Sequence, residues 1–189
     1  GETNFPKEIL KKIKKNKIKY LIIDLTKKKI FNSDINSHNA SIGQVGKIIN
    51  ILKKNNCKRV IFAGRVKKPN FLKLKLDFKG FYYIPKIIKA SKKGDAAILK
   101  VVINILAKEK IKVVKSNTYN PELTLLKGVY SKLKPNKVDL VSINKGIKSL
   151  GKINPYNHTQ GLIIKDSSII AKEGVLGTKK MLKIVKKLN

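Results

Sequence analysis

RVIFAGRVKKP, residues 59 to 69, runs a short apolar strand into a basic turn, and the fold can be read outward from it. Arg59 to Ala63 has the length and β-branched content of a buried strand, and Gly64-Arg65 ends it. Upstream, the spacing of Val45, Ile48, Ile49 and Leu52 predicts a helix from about Gly43 to Lys54, preceded by a polar stretch from Asn32 to Ser41 and a strand over Tyr20 to Leu25. Downstream come a helix near Pro85 to Ala90, a longer one from Asp95 to Lys110 and a strand at Ile111 to Val114. This alternation is an α/β layout. In an open parallel sheet, ligands settle at the carboxyl ends of the strands, which is where Gly64-Arg65 falls. Asp95 suits a helix N-cap or first turn.

Leu133-Lys134-Pro135-Asn136 breaks the pattern with turn chemistry, so a domain boundary is expected over residues 132 to 137, followed by helix, hairpin and helix. The hairpin lies in QGLIIKDSSIIAKEGVLGT, residues 160 to 178. Leu162 to Ile164 and Ile169 to Ala171 read as strands, with Lys165 to Ser168 as the polar turn. Gly174 and Gly177 loosen the backbone before an apolar-periodic helix (Met181, Leu182, Val185, Leu188). Gly177 and Thr178 therefore sit at a helix N-terminus whose free N–H groups favour an anion. The alternative is that Thr178 is an N-cap and the glycines only shape a turn.

Charge is a weaker guide here than its size suggests. The net charge is +33, which ordinarily raises nucleic-acid binding first. All but two of the 44 basic Lys and Arg residues are lysine, however, and they spread along the whole chain. Abundant Lys, Ile and Asn is what A+T-rich codons produce, whereas nucleic-acid sites cluster Arg with aromatics. A specific nucleic-acid partner is not expected, although a general attraction to phosphates and anionic lipid follows from the field. The single Cys57 excludes an intramolecular disulfide and a cysteine metal cluster, which fits the cytoplasm. No apolar run approaches the roughly 18 to 20 residues of a membrane span, and the first residues show no signal-peptide plan.

Five segments recur in a family's order: SIGQVGKI (41 to 48), FAGRVKKP (62 to 69), Asp77 in LKLDFKG, GDAAIL (94 to 99) and the 160 to 178 stretch. Together they resemble the UDP-2,3-diacylglucosamine pyrophosphatases of the LpxI type, from lipid A biosynthesis, over nearly the whole chain. The resemblance implies an N-terminal Rossmann-like α/β domain over 1–132 and an α/β C-terminal domain beginning at 137–189. GETNFP looks like a worn form of the family's glycine-rich turn, with Gly1 and Pro6 kept, so a preceding first strand is expected to be missing. The C-terminal domain is expected to be cut short after about Met181, ahead of an Asp essential to the family, so these 189 residues alone are expected to turn over poorly or not at all.

The implied reaction is magnesium-dependent hydrolysis of UDP-2,3-diacylglucosamine to 2,3-diacylglucosamine 1-phosphate (lipid X) and UMP, with water directed at the phosphorus on the sugar side. It belongs on the cytoplasmic side of the inner membrane, with peripheral contact to that surface and homodimerisation left open. Such chemistry needs cations over the bridging oxygens, a carboxylate to hold metal or position water, and preorganised donors. By motif position, Glu173 and Asp95 are the catalytic acids, and Asp77 and Asp95 the metal-binding ones. Gly43, Gln44, Gly64, Arg65, Lys67, Lys68, Gln160, Gly177 and Thr178 bind substrate, with Arg65 supplying the planar fork. Ala96, Leu176 and Lys179 stand where the family has acids, and His158 stands in a motif that carries Asp. These losses keep open a non-catalytic binder of nucleotide-sugar or lipid phosphates, and charge alone keeps open a basic nucleic-acid or anionic-membrane binding protein.

Overall fold

The computed structural model describes residues 3–65, 70, 73–126, 128–153 and 158–186. The chain divides into two compact units, Gly1–Ile88 with Val102–Leu126, and Lys89–Val101 with Lys127–Asn189. The division falls at residues 126 and 127, ahead of the Leu133 to Asn136 turn, and it separates the first turns of one long helix from the rest.

In the first unit, α1 (Phe5–Lys15) opens with Pro6 in its first turn, has Glu8 near its N-terminus, and ends in lysines, an order that complements the helix dipole. The sequence reading did not include this helix. β1 (Ile22–Asp24) pairs in parallel with β2 (Ser37–Asn39), Ile23 opposite His38. β3 (Arg59–Ile61) pairs in parallel with β4 (Lys112–Val114), Val60 opposite Val113. The described strands of this unit thus form two separate parallel pairs and not one continuous sheet. α2 (Val45–Lys54) and α4 (Asp95–Lys108) supply Leu52 and Leu106, which with Ile111 form one buried core cluster. Ile23, Ile48, Val60, Phe62 and Val113 pack against it. Fully burying a side chain such as Leu52, Leu106 or Ile111 stabilises by about 1.5–3 kcal/mol.

α3 (Phe78–Ser91) begins well before the expected start at Pro85, which lies inside the helix. The ring removes one intrahelical donor, and both Pro85 and Phe81, whose carbonyl loses that donor, are exposed.

The second unit contains α5 (Lys137–Gly151), whose start is fixed by a capping box: the Asn136 Oδ1 accepts the Asp139 N–H at 2.9 Å and the Asp139 Oδ2 accepts the Asn136 N–H at 2.9 Å. β5 (Leu162–Lys165) and β6 (Ser168–Lys172) form an antiparallel hairpin with an irregularity at Ile163/Ile164. Asp166 and Ser167 take positive φ, 49° and 60°, which matches the strand twist at a two-residue turn. α5 lies close on β5 at Gly146, where an ideal Cβ would meet the Ile164 Cδ1 at 2.7 Å. α6 (Gly177–Lys186) buries Met181.

Candidate functional site

Two of the sequence motifs meet in the first unit, at Asp77. Its Oδ1 accepts the backbone N–H groups of Gly46 (3.1 Å) and Gly80 (2.7 Å), and its Oδ2 accepts that of Lys47 (2.8 Å). One carboxylate thus satisfies free donors at the starts of both α2 and α3. Burial raises the Asp77 pKa, but the N–H groups of Lys47, Gly80 and Gly46 outweigh it and hold the group below its usual range. Close backbone approach makes the latch fit: an ideal Cβ on Gly43 would meet the Lys75 carbonyl oxygen at 2.5 Å. Gln44 is the N-cap position of α2, and its Oε1 accepts the Ser41 N–H at 2.9 Å.

Beside this latch is a concavity of about 510 Å³ lined by Lys47, Asn50, Lys54, Phe78 and Lys79 among others. The sequence reading missed Lys47, Asn50 and Lys54. Their signal was the spacing 47, 50, 54 on the polar side of a helix that begins in a glycine motif. Lys79 is already paired with Glu109, which also takes Lys53 at 2.5 Å.

Two motifs, GDAAIL and the 160 to 178 stretch, meet in the second unit. The Glu173 Oε1 accepts the Thr178 hydroxyl at 2.6 Å, and its Oε2 accepts the Gln160 N–H at 3.0 Å. The Thr159 hydroxyl donates to the Glu173 carbonyl at 2.8 Å. Next along the chain, the His158 ring packs on Gly94: an ideal Cβ there would meet Nδ1 at 2.9 Å, and the φ of +112° also requires glycine. His158 to Gln160 therefore links the Gly94-Asp95 turn to the Glu173-to-Thr178 turn.

This arrangement changes how two expected residues act. The Thr178 hydroxyl, against some opposing burial, and the N–H groups of Gln160, Thr178 and Gly161 hold Glu173 below the usual carboxylate range. It stays ionised and is a weak proton acceptor near neutral pH, which suits positioning better than general base work. The helix start at Gly177 and Thr178, read as ready for an anion, already holds this carboxylate.

Asp95 is different. It is exposed at the first position of α4, and its carboxylate has no hydrogen bond or ion pair among the described residues. In the first unit, Gly64 takes a φ of +77° after β3 and presents an exposed Arg65. Lys67 and Lys68 lie outside the described residues.

Magnesium usually binds through one or two carboxylates plus substrate phosphates and waters. Among the described residues no three His, Cys, Asp or Glu side chains gather. Asp77 spends three acceptor positions on backbone N–H groups, so it does not fit a metal ligand. Asp95, exposed and without a hydrogen bond or ion pair among the described residues, keeps its carboxylate oxygens available to a cation.

The α/β chain thus carries a carboxylate-latched pair of helix starts in one unit and an acid-bearing turn cluster in the other. Comparison with known proteins gives the class a name. The LpxI N-terminal domain matches residues 1–123, and the LpxI C-terminal domain matches residues 126–189. The chain belongs to the LpxI family. It is 32% identical over 144 residues to the UDP-2,3-diacylglucosamine pyrophosphatase LpxI of Caulobacter vibrioides, covering 76% of this chain and 51% of that protein. The chain spans about half the length of this relative.

Proposed function

We propose that this protein hydrolyses the pyrophosphate of UDP-2,3-diacylglucosamine in lipid A biosynthesis, giving 2,3-diacylglucosamine 1-phosphate and UMP. The observation that carries the reading is that both domains of one family match, in chain order, over residues 1–123 and 126–189. In the reaction, water oxygen bonds to the phosphorus on the sugar side, the bond from that phosphorus to the bridging oxygen breaks, and UMP leaves. The water proton passes to solvent or to a nearby acceptor.

Arg65 is suited to the pyrophosphate oxygens, since its fork is exposed and always charged. Asp95 is the acid for water or metal, because its carboxylate is not spent within the fold. Glu173 acts as a positioning residue, holding Gln160 and Thr178 in place toward substrate. Asp77 does the same for the start of α2, at Gly46 and Lys47. Magnesium, when bound, would neutralise charge at the phosphate oxygens, with Asp95 as the protein ligand. The reading puts the work at the cytoplasmic face of the inner membrane, with peripheral contact to it.

Hydrolysis in ¹⁸O-water tests the direction of attack. The label is expected in 2,3-diacylglucosamine 1-phosphate, and label in UMP would contradict it. A second reading, binding without hydrolysis, draws on the fact that Asp77 and Glu173 are both engaged by the fold's own donors. Calorimetric binding of the UDP-sugar lipid without any UMP release would favour it.

A further inference from the structure

Helix α3 has two faces of opposite character. Gly80, Ile84 and Ile87 are buried, whereas Phe78, Phe81 and Tyr82 are 93%, 75% and 59% exposed. At i, i+3 and i+4 these rings share one side of the helix. Single exposed apolar residues are ordinary, but three aromatic rings together on one helical face form a patch that marks a contact. The patch is basic at its edges. Lys86 Nζ lies 4.1 Å from the Tyr82 ring centroid, and α3 contains no acid. Phe78 also borders the concavity that holds Lys47 and Lys54, neither of which has an ion pair among the described residues.

We propose that this face of α3 seats on an anionic lipid bilayer, with Phe78, Phe81 and Tyr82 in the interfacial region and Lys47, Lys54 and Lys86 at the headgroup phosphates. This deepens the membrane contact in the proposed function and rests on it. Aromatic rings with amphipathic or apolar bodies settle at the headgroup level, and lysines beside them add attraction to acidic lipid. Charge selects the occupant: a second copy of a chain with net charge +33 brings like charge, whereas an acidic bilayer brings opposite charge. No described helix is long and apolar enough to cross a membrane, so the contact is with the surface.

The chain has no tryptophan, so Phe81→Trp is a single reporter that keeps an aromatic ring in place. With vesicles of phosphatidylglycerol and phosphatidylcholine its emission should shift to the blue and be quenched by acyl-brominated lipid, and with phosphatidylcholine alone it should not. A Phe78→Ser, Phe81→Ser, Tyr82→Ser variant should partition onto the acidic vesicles at least about tenfold more weakly, with unchanged circular dichroism. If the unaltered protein does not sediment with acidic vesicles, the membrane contact itself fails. If it sediments while the reporter stays as in buffer, lysines elsewhere make the contact and the α3 assignment is overturned. A blue shift that follows protein concentration without vesicles, with a dimer in sedimentation velocity, would give the face to a second copy and also overturn it.

Discussion

The Gly43 carbonyl oxygen lies 1.9 Å from where a Cβ on Gly80 would be. No flexible side chain stands between them, so the start of α3 and the loop before α2 are fitted backbone to backbone. Gly80→Ala should therefore destabilise despite the helix propensity gained, which is worth about 1 kcal/mol. Overpacking typically costs about 1–3 kcal/mol, and a backbone contact that cannot yield should reach the upper end. Urea unfolding measures this, and a neutral or stabilising Gly80→Ala would contradict the packing.

Asp77→Asn keeps the shape of the side chain but exchanges one acceptor oxygen for a donor that faces backbone N–H groups. Loss of about 2–3 kcal/mol is expected, because charged acceptors give the stronger hydrogen bonds and orphaned donors are costly. The folded-state pKa is depressed, so the stabilisation is present above the unfolded carboxyl pKa of about 4 and is lost as pH falls through the lower folded value. The variant should flatten the acid limb of the stability curve. A parallel curve would show that Asp77 does not contribute this linkage.

Glu173→Ala should free the start of α6 and cost about 1–2 kcal/mol. An emptied helix N-terminus favours an anion, so inorganic phosphate should stabilise this variant more than the unaltered protein. Equal phosphate effects in thermal unfolding would mean that Glu173 does not fill the anion position.

Asp95→Asn separates chemistry from folding. The carboxylate is exposed and unpartnered among the described residues, so unfolding free energy should change by no more than about 0.5 kcal/mol, the size of a helix-dipole contribution. kcat/KM should fall about a hundredfold or more. Unchanged turnover would remove Asp95 from the site.

Much of the fold was legible where the signal was local. The strand expected over Arg59 to Ala63 forms at Arg59–Ile61, and the hairpin and the capped α5 of the second unit lie where turn residues put them. β2 was not legible, since Ser37-His38-Asn39 has no apolar alternation and is a strand only because β1 lies beside it. α3 was truncated in the reading because Gly80 weakens the helical pattern and Pro85 resembles a start signal. The sites show the same limit. That Asp77 is a latch depends on Gly46 and Lys47, about thirty residues away, and no spacing rule reaches that far. Glu173 and Thr178 are five apart, near enough to be noticed but not to reveal that the acid fills its own anion site.

The central claim is pyrophosphate hydrolysis, and release of UMP from UDP-2,3-diacylglucosamine by the product of the full reading frame carrying this chain tests it most directly. With magnesium, UMP and 2,3-diacylglucosamine 1-phosphate should appear in equal amounts, and Asp95→Asn should abolish most of the release. Binding of the UDP-sugar lipid with no UMP formed, at any magnesium concentration, would contradict the account.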